Sequence, residues 1–323
     1  MTADAPVVID CHNHVGIELL LYLRGEFPYA QTLFQMVDQG GAAGVTHWVV
    51  FPMVTNLTMD AAALREGRIE PGGLESVPYA WENRRLLHEI YELFPETAPR
   101  VFPFMMLDPH RSPGPQIEAL RKLRSEYTFY GLKMQTTMIQ APVKSLLDAG
   151  RGFLELAEEW DLPLLLHSSV YAEDPWAQAS DILDVAEASP RNRFCVAHSC
   201  RFDREQLDRI AALPHVWFDC SAHVIHCQLA EMESPHVAPP ERRFPSDFSR
   251  PAVVLRDLAE AYPGKLIWGS DSPYYSYVAS DLRLVTTYAE ETACVYALPD
   301  GLRDRVAHQN TRACFRLPEI ASC

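Results

Sequence analysis

Eight short apolar, β-branched runs recur along the 323-residue chain, each followed by a segment of helical periodicity. This alternation constrains the fold more than any other feature. The runs are Val7-Val8-Ile9 leading to His14, then residues 45–53, 100–108, 131–135, 162–167, 193–198, 216–221 and 265–271. Their apolar character is continuous, clearest in Val49-Val50-Phe51, which marks strands buried on both faces. The helical segments fall near 29–39, 81–94, 115–127, 143–160, 175–188, 203–213, 252–262, 279–296 and 300–315. Gly40-Gly41 is expected to stop the first, and Asp203 to cap the sixth. Strands alternating with helices imply parallel pairing, and eight such units close on themselves. The expected fold class is α/β, a (β/α)8 TIM-like barrel, as a single domain over 1–323 with no internal repeat. Residues 55–78 and 231–250 are too long for ordinary connections. They follow strands two and seven and are expected to be lid loops over the active face.

The polar residues fall where such a barrel keeps its chemistry. His12 and His14 end strand one, Lys133 lies in strand four, His167 ends strand five, His198 ends strand six and Asp271 ends strand eight. Each alone has a bland reading. A strand-end histidine is ordinarily a hydrogen-bonded core residue, Asp271 could start a turn with Pro273, and a strand lysine usually snorkels to water. Their coincidence at the C-terminal face, where barrels build active sites, favours one nitrogen and oxygen metal centre instead. Such a donor set suits zinc, with manganese or iron as alternatives. In strand one, alternation puts Asp10, His12 and His14 on one face, with Cys11 and Asn13 on the other. Asp10 is then expected to support the ligands, and Cys11 to pack between barrel and helix.

The set Asp10-Cys11-His12-Asn13-His14, Gly131-Leu132-Lys133, His167, His198, Gly269-Ser270-Asp271-Ser272-Pro273 and Asn310-Thr311-Arg312 resembles the amidohydrolase superfamily. The likeness spans nearly the whole chain. It is nearest the amidohydrolase-related branch that includes aminocarboxymuconate semialdehyde decarboxylase-like enzymes. The resemblance implies a distorted barrel holding one or two divalent metals. It implies His12, His14, His167 and Asp271 as metal ligands, with His198 either a ligand of a second metal or an acid/base group touching substrate. Lys133 is either a carboxylated bridging ligand or a cation that anchors an anionic substrate, since an ammonium has no lone pair to give a metal. Asp271 and His198 are the implied catalytic residues. Asp271 would take the proton of a metal-activated water attacking a carbonyl-type carbon. The expected function is a metal-dependent hydrolase of an amide, lactone, ester or C–N bond in a small molecule. The alternative is a metal-dependent nonoxidative decarboxylase, a lyase, of a small unsaturated or aromatic carboxylate. Decarboxylases of the branch usually lack the strand-four lysine, which tilts the reading to hydrolysis. A barrel that has lost activity and only binds is disfavoured by the intact ligand set.

Further substrate-binding candidates are Lys133, Arg201, His223 and Tyr274, although a surface salt bridge is the commoner role for an arginine at position 201. The formal charge of −15 argues against a nucleic-acid partner, and the longest apolar run is too short to span a bilayer. The first residues carry no basic or apolar leader, so a cytoplasmic location with reduced cysteines is expected. A small-molecule substrate and a homodimer complete the expectations.

Overall fold

The structure, a computed structural model, describes residues 6–319. Eight parallel strands run in sequence order around the sheet: Ile9–Ile17, His47–Pro52, Val101–Met106, Gly131–Met134, Pro163–Leu166, Arg193–Val196, Val216–Asp219 and Leu266–Ile267. A two-residue strand, Ala30–Gln31, pairs antiparallel with the end of strand one. The curled sheet closes through irregular contacts between strands one and eight. Cys11 N donates to Trp268 O at 3.2 Å and His14 N to Ser272 O at 2.7 Å, and Asn13 and Ser272 form a parallel bridge. This seam depends on Gly269, because a Cβ there would stand 2.9 Å from both Cys11 Sγ and His12 Cβ. The (β/α)8 fold class read from the alternation is thus the fold observed.

Apolar residues form two layers. Trp48, Leu132, Leu164 and Phe194 pack outward against the helices. Cys11, Phe51, Phe104, Leu165, Cys195 and Ile267 fill the inside of the barrel, where Phe315 of the C-terminal helix joins them. Burial of these side chains, at about 25 cal/mol per Å2, is the main driving force for closure.

Several helices begin and end other than expected, for local reasons. Thr32 and Gln35 form a capping box that starts helix Leu33–Ala42. Gly40 and Gly41 lie inside that helix rather than ending it. A Cβ on Gly40 would come 2.6 Å from Trp48 Nε1, so the glycine serves close helix-to-strand packing. The expected helix over 143–160 is a 3₁₀ turn, Val143–Leu147, followed by helix Arg151–Glu159. Asp203 caps helix Arg204–Ala212 as anticipated, accepting from Glu205 N and Gln206 N. The expected helix over 279–296 is preceded by a hairpin of Tyr277–Val278 with Arg283–Leu284. It starts only at Tyr288, where a second capping box of Thr287 and Glu290 begins it.

Within 55–78 the chain forms a short helix, Ala61–Arg65, capped by Asp60. The 231–250 segment is pinned to the end of strand six. Ala238 N donates to Arg201 O at 2.9 Å and Phe244 N to Phe202 O at 2.8 Å. Among the described residues no helix is long and apolar enough to cross a membrane.

Candidate metal centre

Strand one does not keep strict alternation. Asp10 pairs with Trp48 but Asn13 with Val50, so one extra residue is inserted between them. Such a bulge reverses the facing of everything after it, a device common at barrel rims beside active sites. Cys11 therefore packs inside the barrel with Phe104 and Cys195, not between barrel and helix. Asp10 faces outward. It accepts from His12 N at 3.1 Å, Ser270 N at 2.9 Å and the hydroxyls of Ser270 and Tyr288. Asp10 therefore ties strand one to the loop that carries Asp271 from behind the strand, not from the inward face expected.

His12 and His14 do share the inward face, and both meet Asp271. Asp271 Oδ1 is 3.3 Å from Nε2 of each and accepts no hydrogen bond among the described residues. Asp271 itself holds a left-handed backbone, φ +63°, a cost of about 1–2 kcal/mol for a residue with a Cβ. His12, His198 and Asp271 converge most tightly, with one ligand atom of each within 4.8 Å of the others. His167 Nδ1 lies 2.9 Å from His198 Nε2 and 3.2 Å from Gln135 Nε2. The five histidine and aspartate positions expected to form a centre are thus one continuous cluster.

Asp219, at the end of strand seven, was not anticipated. Its Oδ2 lies 3.0 Å from His12 Nδ1, and its Oδ1 accepts from His198 N at 3.0 Å and Ser221 N at 2.9 Å. Burial opposes its charge, but His12 and these donors outweigh burial and hold the carboxyl at about 2. The ionised Asp219 keeps the proton of His12 on Nδ1 and leaves Nε2 with a lone pair facing Asp271, the usual arrangement behind a metal-bound histidine. The strand ends at Asp219 rather than at 221 as expected, and this earlier end is what gives Asp219 the same strand-end position as His167 and His198.

Lys133 is wholly buried, with Nζ 3.1 Å from His12 Nε2 and 4.7 Å from the centre of the Phe51 ring. Burial lowers it to about 8, against the pull of Asp219 and Asp271. It does not line the cavity, so the structure does not place it as a substrate anchor.

Arg201 reaches the centre through unusual backbone. His198, Ser199, Cys200, Arg201 and Phe202 all have φ between +47° and +64°, a left-handed turn without a glycine. At about 1–2 kcal/mol per residue this is costly, and the Asp219 contact to His198 N and the pinned 231–250 segment hold it. The turn brings His198 and Arg201 to the same side. Arg201 Nε donates to Ser168 O at 3.1 Å and its guanidinium to His226 Nε2, and among the described residues it forms no ion pair. Burial lowers it to about 10, still a cation at neutral pH. The surface salt bridge is not observed.

The cavity above the centre holds about 480 Å3, and His14, His167, Arg201, Asp271 and Tyr274 are among its walls. Tyr274 stands edge-on to His14 with ring centres 5.0 Å apart. His223 is not in the wall. The residues after strand seven form helix His223–Glu231 rather than a loop, and its cavity face is Ala222, Ile225, His226 and Leu229. His223 turns behind it, with Nε2 2.8 Å from Pro251 O. Segment 231–250 contributes His236 to the wall and 55–78 contributes none; the hairpin and helix Leu19–Arg24 supply the mouth.

Burial, helped by Lys133 or Arg201 nearby, lowers His14, His167 and His198 well below the usual imidazole range. Neutral imidazoles around a carboxylate without a donor are the form a divalent cation requires.

The amidohydrolase family profile matches residues 9–317, nearly the whole chain, and the chain belongs to that family. No curated protein matches the sequence. Among solved structures, a putative 2-pyrone-4,6-dicarboxylic acid hydrolase from Pseudomonas putida is 18% identical with a TM-score of 0.59, covering 96% of this chain and 97% of that one. An amidohydrolase from Burkholderia multivorans with bound zinc is 16% identical with a TM-score of 0.60, covering 97% and 100%. The 5-carboxyvanillate decarboxylase from Sphingomonas paucimobilis is 11% identical with a TM-score of 0.60, covering 97% and 99%. At these identities the likeness is one of fold, and it embraces hydrolases and a decarboxylase alike.

Proposed function

We propose that this chain is a metal-dependent hydrolase acting on a small carbonyl compound, a lactone, ester or amide, that carries a carboxylate. The observation that supports it most is Asp271 Oδ1, without a donor and 3.3 Å from Nε2 of both His12 and His14. Three electron-rich atoms held together in a buried site call for a cation between them. His12, His14, His198 and Asp271 would hold it, with His167 alongside, and their nitrogen and oxygen donors suit zinc. A divalent ion there would polarise a carbonyl and acidify water.

The protein's own groups supply the rest. Asp271, the carboxylate that would stand beside both the ion and the water it binds, is the group placed to accept a proton from that water. His198, 2.9 Å from His167 and 3.9 Å from Asp271, is kept neutral by burial and Arg201, and so would serve as a ligand rather than as the acid. Arg201, a cation without a carboxylate partner on the cavity wall, would bind the carboxylate of the substrate. Hydrolysis is favoured over decarboxylation by the resemblance alone, since decarboxylases of the branch usually lack a strand-four lysine such as Lys133.

The purified protein is to be assayed with and without chelator against carboxylated lactones, esters and amides, and against aromatic carboxylates. Chelator-sensitive ring opening or bond hydrolysis is expected. Carbon dioxide release would replace the hydrolytic reading by the decarboxylase, and chelator-insensitive turnover would remove the metal from it.

A further inference from the structure

The inward face of strand one does not end at His14. After the bulge, alternation continues through Gly16 to Glu18, the residue that follows the strand. Glu18 lines the same cavity as His14, Arg201 and Tyr274, although only 2% exposed. Its Oε1 is buried and has no hydrogen-bond partner among the described residues. The backbone amides of Leu20 and Val54 offset only part of the cost of burying its charge. Among the described residues it forms no ion pair, and it lies outside the tight cluster of His12, His198 and Asp271.

We propose that Glu18 is a substrate-recognising residue that hydrogen-bonds a hydroxyl of the ligand, so that this cavity selects hydroxylated carboxylates over their deoxy analogues. The inference rests on the reading of the cavity as the substrate site with Arg201 as the carboxylate anchor. A buried carboxyl oxygen left without a partner is costly, and a ligand hydroxyl that supplies one is favoured over a methylene that cannot. Burial pushes the Glu18 carboxyl up to about 8, so at neutral pH it carries a proton. In that form it both donates and accepts, as a hydroxyl does. It offers little to a cationic ligand. A purely structural role would leave Oε1 idle and impart no preference between ligands.

Binding rather than turnover provides the test, so that its outcome does not depend on the reaction type. D-gluconate and hexanoate both present a six-carbon carboxylate and differ in their hydroxyls. Titration calorimetry on the full, metal-loaded chain is expected to give at least about tenfold tighter binding of gluconate. Glu18→Leu should bring the two affinities within about twofold by weakening gluconate alone, whereas Glu18→Gln, which keeps a donor and an acceptor, retains most of the preference. Glu18→Met is read in the same way if Glu18→Leu does not fold. A preference unchanged in Glu18→Leu, equal weakening of both ligands, or no preference in the unmodified protein would overturn the role of Glu18. If the hydrolase reading fails through carbon dioxide release, the ratio of affinities still reports on Glu18. Loss of binding of both ligands in Arg201→Gln checks the carboxylate anchor separately.

Discussion

Asp219 Oδ2 lies 3.0 Å from His12 Nδ1, across 207 residues of sequence, and this contact decides which nitrogen of His12 faces the centre. An acceptor behind a metal-binding histidine fixes its tautomer and raises its basicity. Asp219→Asn replaces that acceptor by an amide able to donate, so the lone pair can move to the wrong nitrogen. Metal affinity is expected to fall about 10–100-fold, read by competition with a chromophoric chelator. An unchanged affinity would detach Asp219 from the centre. The same carboxyl has a folded pKa of about 2 against an ordinary 3.8. Its contribution to stability is therefore present above about pH 4 and is lost as pH falls towards 2. The asparagine variant should lack that part of the acid transition in the metal-free protein.

Arg201 gives a kinetic prediction. Its guanidinium meets Ser168 O and His226 but no carboxylate among the described residues, so the charge is free for a ligand. A hydrogen bond to a charged group contributes about 1.5–3 kcal/mol. Arg201→Gln should accordingly raise KM for an anionic substrate by about 10–100-fold and change kcat much less, while an uncharged ester analogue is unaffected. A fall confined to kcat would instead make Arg201 part of the chemistry.

How far the sequence carries depends on which rule each residue obeys. His12, His14, His167, His198 and Asp271 were legible because a polar side chain ending an apolar strand has few places to go in a closed barrel. Asp219 obeys that rule in the observed strand Val216–Asp219, but the expected strand, 216–221, puts it two residues short of the end and so hides it. The bulge in strand one was not legible, since alternation is a default that one inserted residue reverses, and with it the facings of Asp10 and Cys11. The left-handed turn over His198 to Phe202 was hidden for a different reason. Positive φ is signalled by glycine, and that turn has none, so tertiary contacts alone impose it. Gly40 misled in the opposite sense, being demanded by Trp48 rather than by a helix end. His223 was misplaced because no capping signal marks the helix that begins there: Ala222 precedes it with a left-handed backbone and no side-chain cap.

Glu18 gives a stability prediction independent of any ligand. Its carboxyl is raised by burial to about 8 from an ordinary 4.5, the backbone amides of Leu20 and Val54 offsetting only part of the cost. Between those pH values the folded state binds more protons than the unfolded state, so stability falls as pH rises. Glu18→Gln has no such loss. At pH 4 the variant and the unmodified protein should be about equally stable, and by pH 9 the variant should be ahead by a few kcal/mol, at 1.36 kcal/mol per pKa unit. The other titrating groups are common to both proteins and cancel in the difference. Parallel denaturation midpoints from pH 4 to pH 9 would contradict the burial of an unpartnered carboxyl.

Lys133 separates the two ways in which the centre can be built. Its Nζ donates to His12 Nε2 at 3.1 Å, the lone pair that a cation would take. An ammonium there both competes for that lone pair and repels the ion. Lys133→Met keeps a long unbranched side chain against Phe51 and removes the charge, a substitution of similar volume that an enclosed site tolerates. If the amine is free, metal affinity should rise by about tenfold in the variant, with one ion per chain before and after by elemental analysis. If the amine is carboxylated and bridges two ions, the same substitution must instead lower the metal content from two to one. Lys133 is wholly buried and outside the cavity wall, so the first outcome is the one expected. Added bicarbonate, which promotes carboxylation only of an accessible neutral amine, should leave activity unchanged.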